Sequence, residues 1–266
     1  MPTAHSGGIE IAYSDGGGPG SPVLLLHAWP LRSEMWAAQV NSLAGRFRFI
    51  TVDFRGFGSS SAPDDPSTYS MEAFATDAEA ALDAAGVERA VVCGLSMGGY
   101  VAFELLRRSP NRVAGMVLAD TRAEADTPER VAQRTAQQQQ IADEGTDRLV
   151  DDLVTGPLLS NSTRSRKPDV VARVRTLADS PAAGFIGGLE ALKTRPDSTA
   201  QLAAISVPTL VVVGEHDALT PPEIARSMHE HIGRSEMVVV PEAGHLSNLE
   251  SPDVFTGALA RFLGDF

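Results

Sequence analysis

An α/β architecture, with a mostly parallel sheet covered by helices on both faces, follows from three features of the chain: short apolar runs of strand length, helix-patterned segments between them, and one long stretch where this alternation stops. Residues 9–13 alternate in polarity and read as an early strand, and 16–21 are the Gly-rich turn that follows it. Residues 23–26, 47–52, 90–93, 113–118, 209–213 and 237–240 are continuous apolar runs, the pattern of strands buried on both faces. Between them, Met71, Phe74, Ala75, Ala78 and Leu82 share one helical face, as do Val254, Phe255, Ala258, Leu259, Phe262 and Leu263. A further helix is expected over 222–232.

The alternation stops over 122–204, which reads as several consecutive helices. Thr127 before Pro128 and Ser180 before Pro181 each place a capping residue ahead of a proline in the first helical turn, and Gly145 is a stop signal. The expected organisation is a core of residues 1–121 and 205–266, with 122–204 inserted as a helical cap, or lid, over the sheet ends. Gln137 to Gln140 within it read as a solvated helix face.

Composition excludes several classes of function. With 266 residues, 43% of them hydrophobic, the chain can bury one full core and carry an insertion. Its 34 acidic residues against 22 Lys and Arg leave a formal charge of −12, which opposes nucleic-acid binding because phosphate contacts need clustered cations. Lysine occurs only at Lys167 and Lys193 and the arginines are scattered, so no polybasic segment addresses a membrane surface. Apolar runs such as 208–213 are too short to span a bilayer, and residues 1–8 lack the features of an export signal, so a cytoplasmic location is expected. The single cysteine, Cys93, sits in an apolar run and reads as a small buried residue.

The sharpest chemical signal is Gly94-Leu95-Ser96-Met97-Gly98-Gly99, which follows one strand and opens a helix. A serine on so tight a turn needs small neighbours, since a side chain at Gly94 or Gly98 would collide as the turn closes, and the turn projects the hydroxyl outward. The following helix aims its N-terminus at that hydroxyl, so the Met97 amide is a candidate oxyanion donor. A phosphate-binding loop would need a lysine that is missing here.

Serine requires a base to take its proton and a third group to orient that base. Asp217 lies just past the strand 209–213 and His245 in the loop after 237–240. In a parallel sheet both loops emerge at the same edge as the Ser96 turn, in the chain order Ser, Asp, His. Asp120, past another strand, is the main alternative acid and Glu215 a lesser one. His216 adjoins the acid too closely to reach across, His229 and His231 lie on a solvated helix, and His5 belongs to the N-terminal arm. A second oxyanion donor should follow an earlier strand, where His27-Ala28-Trp29-Pro30 offers the Trp29 amide, with His27 as a structural hydrogen-bonding residue.

With Asp53-Phe54-Arg55-Gly56-Phe57-Gly58-Ser59, Gly214-Glu215-His216-Asp217 and Gly244-His245 added to these motifs, the chain resembles the α/β-hydrolase superfamily over nearly its whole length. The Ser96 turn and the stretch from Gly244 to Pro252 resemble the 3-oxoadipate enol-lactonase-like esterases. That resemblance implies an α/β-hydrolase fold, triad roles for Ser96, Asp217 and His245, and oxyanion donors at Met97 and Trp29. The family usually has glycine after the oxyanion-loop histidine, and here it is Ala28. Serine in place of the nucleophilic aspartate of haloalkane dehalogenases argues against dehalogenation, because an alkyl-enzyme ether would not be hydrolysed.

The reaction expected is hydrolysis of a carboxylic ester or lactone of a small molecule through an acyl-enzyme, with no cofactor and no metal-ligand pattern. Trp29, Leu158, Leu159, Phe185, Ile186 and Leu246 are the expected substrate-binding residues, and small neutral esters are favoured because an acidic protein repels an anionic lactone unless arginines intervene locally. Rival activities are a cofactor-free perhydrolase or haloperoxidase, a carbon-carbon bond hydrolase, and a ligand receptor that keeps the triad.

Overall fold

In the computed structural model, which describes all 266 residues, eight strands form one sheet in the order β1-β2-β4-β3-β5-β6-β7-β8. They are β1 Thr3–Ser6, β2 Ile9–Asp15, β3 Pro22–Leu26, β4 Arg48–Val52, β5 Ala90–Leu95, β6 Val113–Ala119, β7 Thr209–Gly214 and β8 Ser235–Val240. β1 and β2 are antiparallel to their neighbours, and every pairing from β4 to β8 is parallel. The carboxyl ends of β3, β5, β6, β7 and β8 therefore open on one rim. β1 escapes the sequence pattern because it is short and polar, burying only Ala4 and Ser6 against β2. β8, though apolar, is an edge strand with only Val240 fully buried.

The helices are α1 Ala37–Leu43, α2 Met71–Ala84, α3 Met97–Arg108, α4 Pro128–Glu144, α5 Asp147–Thr155, α6 Asn161–Arg166, α7 Pro168–Leu177, α8 Ala182–Lys193, α9 Pro222–His231, α10 Ser247–Glu250 and α11 Pro252–Leu263. α1 packs on α11 and α2 on α3, two groups that flank the sheet. The apolar stripe of α2 is buried as its spacing requires, with Phe74, Ala75 and Ala78 fully inaccessible. No helix is long and apolar enough to cross a membrane.

Between β6 and β7 the chain forms only helices, α4 to α8, before a short 3₁₀ turn at Thr199–Ala204. The Thr127 hydroxyl caps α4 through the Arg130 amide, and Gly145 ends it at φ +81°. Ser180 does not cap α8. Pro181 takes that position, and the Ser180 hydroxyl accepts the Gly58 amide at 3.4 Å instead. The glutamine run is not simply solvated either, since the Gln138 amide donates to the Ile186 carbonyl of α8 at 3.0 Å. Leu149, Leu153, Val174 and Phe185 join the same hydrophobic cluster as the sheet, so the helical block shares the core.

Candidate active site

Ser96 stands between β5 and α3 with φ 53° and ψ −111°, a left-handed conformation unfavourable for a residue with a side chain. Its backbone is pinned on both sides. The Ser96 N–H donates to Ala119 O at 2.9 Å, and its carbonyl accepts the Gly99 amide at 2.9 Å and the Thr121 hydroxyl at 2.8 Å. A Cβ on Gly94 would run into the Gly98 carbonyl, and one on Gly98 into the Leu26 carbonyl, so the small residues around this serine are a packing requirement.

The loops after β7 and β8 bring their side chains to the same place. His245 Nε2 lies 2.8 Å from Ser96 Oγ, and His245 Nδ1 lies 2.8 Å from Asp217 Oδ2. Asp217 is held by its own loop, accepting the Leu219 and Thr220 amides at 2.8 and 2.9 Å on Oδ1 and the Thr220 hydroxyl at 2.5 Å on Oδ2. Burial pushes the Asp217 carboxyl upward, but the facing His245 charge and these hydrogen bonds outweigh it and hold the pKa below its ordinary value. Both residues are almost wholly buried, while Ser96 keeps partial access to solvent.

The rival acid, Asp120, lies one strand away and serves a different purpose. It is fully buried, accepts the Gly214 amide at 2.8 Å and the Ser247 hydroxyl at 2.5 Å, and makes no bond to His245. Burial and the neighbouring Asp217 charge drive its pKa well above the ordinary carboxyl range. Glu215, His216 and Glu242 sit outside on the surface, their ligand-type atoms within 4.8 Å of one another, and Glu215 accepts the Glu242 amide. Separate loops supply them, so the sequence alone does not show their meeting. His5 and His231 are exposed, and His229 bonds Ser235.

Trp29 follows β3. Its N–H has no intramolecular acceptor, whereas the Ala28 N–H meets Met35 Sδ at 3.3 Å. His27 fixes this loop as a neutral ring: Nδ1 donates to Ala28 O at 3.0 Å, Nε2 accepts the Phe54 amide at 3.1 Å, and burial lowers its pKa. Met97 opens α3 directly after Ser96, with its side chain buried.

A cavity of about 100 Å³ lies between the sheet rim and the helical block. The core contributes Trp29, Ser96, Tyr100 and His245, and the block contributes Leu153, Leu158, Arg130 and Arg134 among others. Of the residues expected to bind substrate, Trp29 and Leu158 line it. Leu159, Phe185, Ile186 and Leu246 do not. Phe185 and Leu246 are fully buried in packing, Phe185 edge-on to the Trp29 ring, and the Ile186 carbonyl is tied to Gln138. Leu159 faces a separate groove on the far side of Asp217. Apolarity marks these side chains for burial without telling which buried face is a cavity wall. The polar wall of arginines and glutamines from α4 is what sequence reasoning missed; charge at helical spacing, Arg130, Gln133, Arg134 and Gln137 on one face, is the signal that could have found it.

The sequence pattern of the alpha/beta hydrolase fold family matches residues 21–252. A thermophilic esterase from Thermogutta terrifontis, determined with malate bound, superposes with a TM-score of 0.94 at 38% identity, covering 99% of this chain and 98% of its own. The enol-lactonase from Burkholderia xenovorans gives 0.90 at 31% identity, covering 99% and 100%. A bromoperoxidase from Bacillus anthracis gives 0.86 at 25% identity, covering 99% of both chains.

Proposed function

Because the chain belongs to the alpha/beta hydrolase fold family, we propose that it is a serine hydrolase cleaving carboxylic ester or lactone bonds of small substrates through an acyl-enzyme. The observation that carries this reading is the hydrogen-bonded chain from Ser96 Oγ through His245 to Asp217, which ends at the wall of a cavity. Similarity to an esterase and an enol-lactonase over nearly the whole chain supports it.

In this mechanism Ser96 Oγ attacks the substrate carbonyl carbon while His245 Nε2 takes the hydroxyl proton. The Asp217 carboxylate accepts the Nδ1–H bond, fixing the tautomer and stabilising the imidazolium. The negative charge that forms on the carbonyl oxygen is received by the Met97 and Trp29 N–H groups, each donor contributing about 3 kcal/mol to the transition state. Collapse expels the alcohol, which takes its proton from His245. Water then attacks the acyl-enzyme, again giving its proton to His245, and releases the acid and the free serine. Residues 122–204 act as the cap, closing the cavity over the sheet rim and keeping bulk water from the oxyanion. The cavity is smaller than the sites that enclose drug-sized ligands, which supports a substrate with a short acyl group.

A panel of p-nitrophenyl esters and lactones tests the reading with wild type and Ser96→Ala. Hydrolysis by wild type and its loss in the variant are expected; equal turnover by both contradicts the mechanism. Bromination in acetate and peroxide, run alongside, separates perhydrolysis from transfer to water.

A further inference from the structure

An ionised carboxyl offers about four acceptor sites, and all of those on Asp217 are in use. Oδ1 accepts the Leu219 and Thr220 amides at 2.8 and 2.9 Å, and Oδ2 accepts the His245 Nδ1–H at 2.8 Å and the Thr220 hydroxyl at 2.5 Å. The two amides belong to the turn and the imidazole to the triad; only the fourth donor depends on which side chain stands at 220. Thr220 Oγ1 also lies 3.3 Å from His245 Nδ1, so hydroxyl, carboxylate and imidazole meet in one triangle. The single hydroxyl proton goes to Asp217, which leaves an oxygen lone pair toward the Nδ1–H.

Thr220 also stands between two spaces. With His245 it lines the cavity that holds Ser96, whereas Asp217 borders the wider groove on the opposite side. Thr220 is 2% exposed, and its side chain separates the carboxylate from the cavity. Water reaching Asp217 from there would screen its charge and weaken its hold on an imidazolium. The turn itself is anchored without the hydroxyl: besides the two amide bonds, the buried Arg122 donates to the Leu219 carbonyl at 2.7 Å, and Arg130 to the same oxygen at 3.4 Å. The Thr220 hydroxyl is therefore free to serve the reaction rather than the fold.

Resting on the acyl-enzyme reading above, we propose that Thr220 is a positioning residue of the reaction: its hydroxyl locks Asp217 with Oδ2 facing His245 and closes the carboxylate to water from the cavity. It touches no reacting atom and acts through Asp217. When His245 takes the Ser96 proton, the charged ring faces an oxygen that cannot rotate away, and the Thr220 lone pair gives the Nδ1–H a second partner. The benefit arises in the transition state, where the ring is positive, and so it belongs to kcat rather than to KM.

Thr220→Val keeps the shape and the amide but removes the hydroxyl, and Thr220→Ser keeps the hydroxyl. Steady-state kinetics on p-nitrophenyl acetate, with folding checked by circular dichroism, should show kcat about tenfold lower in Thr220→Val, the scale of one hydrogen bond to a charged group, with KM within about twofold and most of the rate kept in Thr220→Ser. In an Asp217→Asn background the same Thr220→Val change should cost less than about twofold, because the group it acts through is gone. The downfield proton resonance of His245 Nδ1–H, read without substrate, should move in Thr220→Val and return in Thr220→Ser. Thr220→Ala carries the same expectations if the valine variant does not fold. A wild-type kcat or an unmoved resonance in the folded variant, an equal loss in Thr220→Ser, or an undiminished loss in the Asp217→Asn background overturns the positioning role and leaves the acyl-enzyme intact. Turnover that survives in Ser96→Ala overturns the acyl-enzyme reading, and with it the role that rests on it.

Discussion

Glu250 Oε2 accepts the amide of Ser160, the residue before α6, at 2.9 Å, tying the segment after His245 to the helical block. The other oxygen of the same buried carboxyl accepts the Gly244 and Leu246 amides, on either side of His245, at 2.9 and 3.3 Å. One side chain therefore sets the imidazole loop and its contact with the block. Glu250→Gln keeps one acceptor oxygen but turns an NH₂ group toward a buried donor. The expected result is a loss of about 1–3 kcal/mol in urea unfolding, the cost of leaving buried donors unmet, together with a lower kcat. A wild-type midpoint and kcat would contradict this role.

Two buried aspartates pull stability in opposite directions with pH. Asp217 has its pKa held below the ordinary 3.8, so its contribution is present above that value and is lost as pH falls through the depressed one. Asp120 has its pKa raised, so the folded state binds a proton that the unfolded chain releases above 3.8, and stability falls as pH rises from there toward the raised value. Asp120→Asn mimics the neutral acid, with its oxygen for the Gly214 amide and its NH₂ for Ser247. Urea midpoints measured from acid to neutral pH should decline less steeply in this variant than in wild type. An equally steep decline would show that Asp120 is ionised in the native state.

Two glycine substitutions should act with opposite signs. A Cβ on Gly98 would lie 2.7 Å from the Leu26 carbonyl carbon, with backbone on a central strand unable to yield. Gly98→Ala should therefore cost about 1–3 kcal/mol and displace the Ser96 turn, abolishing hydrolysis. Gly257, inside α11, has open space around its Cβ position. Gly257→Ala should raise stability by about 0.5–1 kcal/mol through the lower backbone entropy of the unfolded chain. Thermal melts of the two variants check both.

Asp217→Asn should lower kcat by about 10⁴-fold while leaving KM within a few fold, because an amide leaves the imidazole without its charged partner and in the wrong tautomer. Steady-state kinetics on a single ester suffice. A loss below tenfold would mean that another group, such as Asp120, orients His245.

How far the sequence reaches depends on what each residue obeys. Continuous apolar runs place β3 to β7 because burial on both faces admits little else, and Ser96 is legible because Gly94 and Gly98 are dictated by backbone contact. Asp217 and His245 are legible from their positions at strand ends, which topology carries to one rim. β1 is not, since four residues of mixed polarity carry no distinct period. Phe185 and Leu246 show the limit at the site: both are apolar and buried, but against Trp29 and the core rather than against the cavity. Arg130 is weakly marked for the converse reason: its spacing with Gln133, Arg134 and Gln137 puts it on one helical face, but a long charged side chain on a helix reads as solvated until the neighbouring elements close over it.

The central claim is a covalent bond between substrate and Ser96 Oγ. Acid-quenching the protein during turnover of an activated ester such as p-nitrophenyl acetate, followed by digestion and peptide mass spectrometry, tests it most directly. An acetyl group on the peptide holding Gly94 to Gly99, absent in Ser96→Ala and persistent in His245→Ala when it forms, is the predicted result. Turnover without any adduct on that peptide, or with the acyl group on another residue, would contradict the account.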